Sequence, residues 1–314
     1  MKSRIPRYLY RRLPARYERA LVYHSAYGRV PRLPDARLWS EKINLRILFD
    51  RRPVIAMMAD KLAARAHVHA VLPALRMPEL LWSGTDLSRL AGAGLPDRWV
   101  LKPNHRSGDV YFGRGPATDL ASLEKATAGW LDEYGGYYFE WAYSRARRLL
   151  LVEEMLGDGA KAPDDYKLYA FDGRVVFVQH DYSRFSDHAQ RYYTPQWQPV
   201  HVCSVMPEAP LRPPPAALEE MLAAAGALSK GIDFVRIDFY DVGGVAYFGE
   251  LTAYPGSGLT QFEPASDAEL GDAWVLPPEL VQAAAGPRAV EAARRALELA
   301  LVARRSARAR RGPG

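Results

Sequence analysis

The chain has 314 residues, 48% of them hydrophobic and 25% charged, with a net charge of +6 and a single cysteine, Cys203. That length supports a large core shared by two or three subdomains, and no apolar run approaches the length a membrane span needs, so no transmembrane segment is expected. One cysteine excludes an intrachain disulfide and any multi-cysteine metal site, and reads as a small buried hydrophobe.

Residues 1–32 carry Lys2 and eight arginines against Glu18 alone, and residues 304–311 form a second basic run. The first twenty residues lack an apolar h-region, so a secretory signal is not expected and a cytoplasmic location is, with the inner membrane face as a peripheral option. Basic ends admit an anionic partner such as a phosphorylated lipid carrier, an acidic polysaccharide or a membrane surface, although a solvated tail needs none. No nucleic acid is expected. Pro6, Pro14, Pro31 and Pro34 divide the N-terminal segment into short helices, and Tyr8, Tyr10, Tyr17, Tyr23 and Tyr27 pin it to the main body.

The spacing predicts a helix over 39–49 ending before Pro53, and a second over 56–72 with Asp60-Lys61 near its start. Strands are predicted at 80–82, 98–102, 110–112 and 149–155. Between them lie a short helix over 86–90 capped by Thr85, a polar loop over 104–109, a helix over 120–134 and an aromatic stretch over 137–143. Segments 165–170 and 174–179 flank Asp172-Gly173, a strong two-residue hairpin signal. Pairing Phe171 with Arg174 would place Asp165, Lys167 and Tyr169 on one face with Val176, Val178 and His180. Irregular strands follow around Tyr192 and Val200, then an alanine-rich helix over 216–230 stopped by Gly231. Beyond Pro277-Pro278 one or two helices are expected, including 288–302.

The stretch 232–258, IDFVRIDFYDVGGVAYFGELTAYPGSG, alternates apolar and polar residues in two runs and reads as a hairpin. Loop length decides which side chains share a face, because a one-residue slip inverts them all. A two-residue turn at Gly243-Gly244 would send Asp238 and Glu250 to opposite faces. A three-residue loop, Val242-Gly243-Gly244, pairs Asp238 with Phe248 and aligns Arg236, Asp238, Glu250 and Thr252 on one face; a bulge would restore the same phase. Glu250 then lies diagonally from Asp238, roughly 7 Å away at the backbone, within reach of a shared magnesium ion. The plainer alternative is an ordinary hairpin with a solvated charged face.

Lys102 at a strand end can neutralise nucleotide phosphates, and the backbone N–H groups of Ser107, Gly108 and Asp109 can cover them, although such loops are common. The chain contains no G-x-x-x-x-G-K-[ST] loop. The strand at 149–155 with Glu153-Glu154 suits an interdomain hinge where an adenine meets backbone groups near 154–156; a buried strand ending in solvated glutamates is the alternative. His105 and His180 can assist proton transfer or be structural. His67 and His69, two apart on a helix, do not form a metal pair.

Several motifs together resemble the TupA-like ATP-grasp family associated with bacterial teichuronopeptide and polysaccharide biosynthesis. They are Trp39-Ser40-Glu41-Lys42-Ile43-Asn44, Ala59-Asp60-Lys61, residues 99–102 with Asn104-His105 and Ser107-Gly108, Val152-Glu153-Glu154, residues 164–167 with Phe171 and Gly173, and 234–240 with FGELTAYPGSG at 248–258. The likeness spans roughly 39–265 and implies an α+β fold in which antiparallel sheets of two subdomains clasp ATP. The implied organisation is a basic helical segment over 1–50, the ATP-grasp domain over 51–280 with subdomains meeting near 152–157, and a basic helical tail over 281–314.

By the same resemblance Lys61 and Lys102 would hold phosphates, with Ser107 and Gly108 covering them, and Glu153, Glu154, Met155 and Leu156 would meet the adenine edge. Asp238 and Glu250, with Thr252 as an uncertain third ligand, would hold magnesium, expected as two ions. Lys167 and Arg236 would stabilise the transferring phosphoryl group or an acylphosphate. Tyr254, Gly256, Ser257 and Gly258 would offer N–H groups to an anionic substrate group, with Arg106 and His180 as further substrate contacts. Two departures from the family pattern stand out: Thr252 replaces a common asparagine, and Arg106 and Asp109 replace common glycines. The implied reaction joins an amine or amino acid to a carboxylated glycan acceptor. A kinase acting on a hydroxyl and a non-catalytic nucleotide-binding scaffold are the alternatives.

Overall fold

The computed structural model describes residues 15–33, 35–132, 139–157, 163–182, 188–202 and 206–286. The basic run at 304–311, the helix expected over 288–302 and Cys203 lie outside them. Helices α1 (Ala15–Tyr27), α2 (Trp39–Phe49), α3 (Pro53–Ala59) and α4 (Lys61–Val71) precede the first strand. The helix expected over 56–72 is thus two helices. Asp60 leaves the helical region and its side chain accepts from Ala63 N at 2.9 Å, so it caps α4 and ends α3 in one position.

Strands β1 (Leu80–Gly84), β2 (Arg98–Pro103) and β3 (Tyr111–Arg114) follow, then α5 (Leu120–Ala126) and β4 (Leu150–Glu154). They form an antiparallel four-stranded sheet in the order β1-β4-β2-β3 over a core that includes Leu87, Leu90, Trp99, Leu101, Leu123 and Val152. The short 3-10 helix at Leu87–Gly92 is capped by Asp86 and not by Thr85, because the carboxylate reaches the Ser88 N–H. Helix α5 ends at Ala126, well before the expected limit.

The second sheet takes β5 (Asp165–Phe171), β6 (Arg174–Tyr182), β7 (Ala189–Tyr193) and β8 (Pro199–Val200), then, after α6 (Leu218–Leu228), β9 (Val235–Val242) and β10 (Val245–Thr252). Its order is β10-β9-β5-β6-β7-β8, all antiparallel. Leu168, Val178, Ile237 and Phe239 join the large core, to which α6 adds Leu218, Met221, Ala225 and Leu228. Helices α7 (Pro264–Ala273) and α8 (Pro278–Ala285) complete the described chain, and α7 has no counterpart in the sequence reading. No described helix is long and apolar enough to cross a membrane.

Two hairpins depart from their expected registers, each by one bulge. In the β9–β10 pair the loop is a two-residue turn: Val242 pairs with Val245, and Gly243 and Gly244 both take positive φ, as a type I′ turn demands. The three-residue loop is therefore wrong. The phase is restored at Gly249, which lies between Phe248, opposite Phe239, and Glu250, opposite Asp238. A Cβ at Gly249 would sit 3.1 Å from the Asp238 carbonyl oxygen, so the bulge favours glycine there. In the β5–β6 pair Asp172-Gly173 makes the expected turn, but Val176 bulges between the Ala170–Val175 and Tyr169–Phe177 pairs. Lys167 consequently shares its face with Gln179 and Asp181, and His180 turns to the opposite face with Tyr166.

Candidate active site

Four adjacent strands present one polar face. Across β10, β9 and β5, Thr252, Arg236 and Tyr169 fall in one row and Glu250, Asp238 and Lys167 in the next. Arg236 forks onto Asp238 with two bonds of 2.7 Å, and its Nη2 also reaches Thr252 Oγ1 at 3.2 Å and Glu250 Oε1 at 3.4 Å. Lys167 lies 2.9 Å from Asp165, 3.1 Å from Asp181 and 3.7 Å from Asp238. Gln179 ties the far side together, accepting from Tyr169 and Tyr192 and donating to Asp181 at 2.7 Å.

Burial pushes the Asp238 carboxyl up to about 6 despite the adjacent Arg236 and Lys167. Burial also opposes the charge of Lys167, but Asp238, Asp165 and Asp181 outweigh it and hold the ammonium above its ordinary range.

The small sheet and α4 supply the facing wall of a cleft of about 400 Å³, lined by Lys61, Arg65, Lys102, Ser107, Tyr143, Glu153 and, from the large sheet, residues 248–251. Glu153 is the hub of this wall, with Lys102 at 2.5 Å and Arg65 at 3.3 Å. Lys61 donates to the carbonyls of Pro103, Asn104 and Arg106 at 3.0, 3.4 and 2.5 Å, so it organises the loop beside the cleft. Burial lowers its pKa to about 8.

Gly108 takes φ 88° in that loop. Arg106 pairs with Asp109 at 2.8 Å and donates to Gly129 O, which turns it toward the segment after α5; His105 is anchored to Asp132 O at 3.1 Å. At the end of β4, Glu154 N donates to Glu79 O at 3.0 Å and Met155 N to Arg98 O at 3.5 Å, so two of the backbone N–H groups expected near an adenine edge have partners within the chain.

His180 is set apart from this face. The Val176 bulge places it against Tyr166, stacked at 4.5 Å, with Asp164 at 3.1 Å from Nε2, and not on the Lys167 face where the unbulged register would put it. The turn at 254–258 begins one residue after Ala253, beyond Thr252 at the end of β10, and Tyr254 tilts against Tyr143 of the cleft at 6.3 Å. Gly256, Ser257 and Gly258 all have positive φ.

Helix α2 holds this turn from behind. Asn44 Nδ2 donates to Gly258 O at 3.1 Å, Ser40 binds Asp267 of α7 through N and Oγ at 2.7 Å each, and Lys42 Nζ reaches Gly271 O and Trp274 O. Its Ser-Glu-Lys-Ile-Asn run therefore serves as scaffold. Tyr23 is buried and Tyr27 bonds Thr260 O at 2.7 Å, which pins the N-terminal helix; Tyr8 and Tyr10 lie outside the described residues.

Sequence reading assigns no site role to Arg65, Asp181 or Gln179. Arg65 lies one turn along α4 from Lys61, a spacing that brings both to one wall. Asp181 and Gln179 became visible only with the Val176 bulge, which nothing in the sequence marks.

The family model described as TupA-like ATPgrasp matches residues 41–275. No curated protein gives a significant match. Among solved structures, D-alanine–D-alanine ligase from Bacillus anthracis complexed with ATP is 16% identical, covering 76% of this chain and 67% of its own, with a TM-score of 0.42. VanG D-Ala:D-Ser ligase from Enterococcus faecalis is 14% identical over 69% of this chain and 60% of its own, at 0.42. ATP-grasp ligase PsnB, in complex with a precursor variant, Mg and ADP, is 15% identical over 74% and 60%, at 0.39. The chain thus spans about two thirds or less of these proteins. With its family match running from α2 to the end of α7, the chain belongs to the TupA-like ATP-grasp family.

Proposed function

We propose that the chain is an ATP- and magnesium-dependent carboxylate–amine ligase working through an acylphosphate. The observation that carries this reading is the meeting of Asp238 and Glu250 across β9–β10 with Lys167 and Arg236 on the same face, and Glu250 lining the cleft that Lys102 also lines. Two carboxylates and the Thr252 hydroxyl are hard oxygen donors that fit magnesium. Bound there, the ion would neutralise phosphate charge and hold the transferring phosphoryl group in line.

In the first step an acceptor carboxylate oxygen attacks the γ-phosphorus, the bond to the β-phosphate oxygen breaks, and ADP departs. Lys102 balances charge on the nucleotide side, and Lys167 and Arg236 balance it on the transferring group. In the second step the amine nitrogen attacks the acyl carbon, a tetrahedral centre forms, and its collapse expels phosphate as the amine proton passes to solvent or phosphate. Ser107 and Gly108 would cover the phosphates, and residues 153–156 would lie along the base.

The turn at 254–258 would take an anionic group of the acceptor. The family resemblance points to a uronic-acid carboxylate of a surface or capsular polysaccharide as acceptor, and to an amino acid or other amine as nucleophile. Residues 51–280 would form the catalytic domain, with the basic ends available to an anionic carrier.

ADP release that requires both D-glucuronate, or an oligosaccharide containing it, and an amino acid supports the ligase. ADP release with phosphate retained on an alcohol and no need for an amine would replace it with a kinase.

A further inference from the structure

The turn at 254–258 is held from outside the segment that the family model matches. Arg19, on α1, is 1% exposed; its Nη2 donates to Ser257 O and its Nε to Asn44 Oδ1 at 2.5 Å. Tyr27, two turns along the same helix, donates to Gly258 O at 3.4 Å and to Thr260 O at 2.7 Å. With Asn44 on Gly258 O, the carbonyls of residues 257, 258 and 260 all accept from α1 or α2.

The approach leaves no room for a side chain. A Cβ on Gly258 would lie 2.9 Å from Arg19 Nη2 and 2.8 Å from Ile43 Cγ2, so the last glycine of the motif serves the arginine as well as its own φ of 63°. Glu140, a residue 4% exposed, neighbours Ser257 as well. Ser257 is a non-glycine residue at φ 53°, a conformation that costs on the order of 1 kcal/mol and persists only where its surroundings enforce it.

We propose that Arg19 is a positioning residue of the acceptor site, and that α1 is a working part of that site: the guanidinium enforces the left-handed run at 256–258 that presents the turn to the acceptor. The proposal rests on the reading that this turn belongs to the acceptor site. Arg19 acts through the turn and touches neither nucleotide wall.

Arg19→Met keeps the length and apolar stem but removes the donors. Amide hydrogen exchange at Ser257 and Leu259, whose N–H groups bond Tyr254 O and Gly256 O, should quicken about 10-fold or more. Arg19→Lys should recover part of the protection, and Tyr27→Phe, a milder change, should show the same pattern at smaller size. Affinity for magnesium and a non-hydrolysable ATP analogue, read by calorimetry, should stay within twofold. With D-glucuronate and glycine as the probe pair, the KM for glucuronate should rise about 10-fold while that for ATP is unchanged.

Unaltered exchange at the turn in both Arg19→Met and Tyr27→Phe would overturn the proposal, as would equal losses of ATP and acceptor affinity. If the unmodified chain releases no ADP with the probe pair, the substrate reading fails, while exchange at the turn still decides whether Arg19 enforces it.

Discussion

Two buried charge clusters flank the first half of β9, one around Asp233 just before the strand and one around Asp238 in its middle, and they are built to opposite ends. Around Asp233, Arg46 and Arg52 bond its two oxygens at 2.8 and 2.7 Å, Trp274 Nε1 donates at 2.7 Å, and Asp50 balances the second arginine. Arg46 lies between the rings of Trp274 and Phe234, 4.5 and 5.3 Å from their centroids, and donates to the carbonyls of Phe234 and Ala253. Burial acts against the Asp233 charge, but Arg46 and Arg52 outweigh it and hold the carboxyl below its usual range.

Around Asp238, by contrast, four carboxylates (Asp165, Asp181, Asp238 and Glu250) meet Lys167 and Arg236, and burial raises the Asp238 carboxyl. A cluster with balanced partners staples the chain. One with more carboxylates than cations, bordering the cleft through Glu250, is where the proposed magnesium ion would balance the charge.

The contrast breaks most sharply at the carboxylates. Asp238→Asn or Glu250→Gln should lower ADP release by about 10³-fold or more while circular dichroism and the unfolding midpoint stay close to those of the parent. Turnover at the parental rate in either variant would remove the metal assignment. Asp233→Asn should do the reverse: Arg46 and Arg52 would share Asp50 alone, and the one positive charge left uncompensated costs about 3 kcal/mol in denaturant unfolding, with turnover per folded molecule retained.

Magnesium sharpens the same division. A divalent ion bound to the folded state alone adds about 2.7 kcal/mol of stability at a hundredfold excess over its Kd. That gain should appear in the parent and in Asp233→Asn, and vanish in Asp238→Asn and Glu250→Gln. A gain that survives in the last two would place the ion elsewhere.

How far the sequence foretold these clusters follows from the kind of signal each needs. Periodicity and end signals located α2 and the Asp172-Gly173 turn, because both are decided within a few residues. Asp60 carried a cap signal that was legible, and reading it would have split α3 from α4. The site face depended on phase, and phase depended on two bulges. Gly249 advertises its bulge, since a glycine inside an alternating strand marks a close backbone approach, here to Asp238 O. Val176 gives no such notice. A β-branched residue suits a regular strand, and only packing across β5 and β6 ejects it from the ladder. The aromatic cage around Arg46 joins it to Phe234, 188 positions away, and to Trp274, farther still, which no local pattern encodes.

Glu140 supplies the smallest test and separates a third kind of buried charge, one without an ion pair among the described side chains. Its carboxyl is pushed up to about 7 from 4.5, first by burial, with Ser257 and Arg19 opposing. The folded pKa lies above the unfolded one, so the two states bind protons alike below about pH 4.5. Between there and about 7 the unfolded state ionises first, and stability falls as pH rises through that window. Glu140→Gln removes the titration while keeping volume and hydrogen bonding. It should therefore match the parent at pH 4 and exceed it by about 2 kcal/mol at pH 8 in denaturant melts. Equal stability at both pH values would mean that the cluster at the turn holds Glu140 as a charged partner of Arg19, which would make it a staple like the one at Asp233.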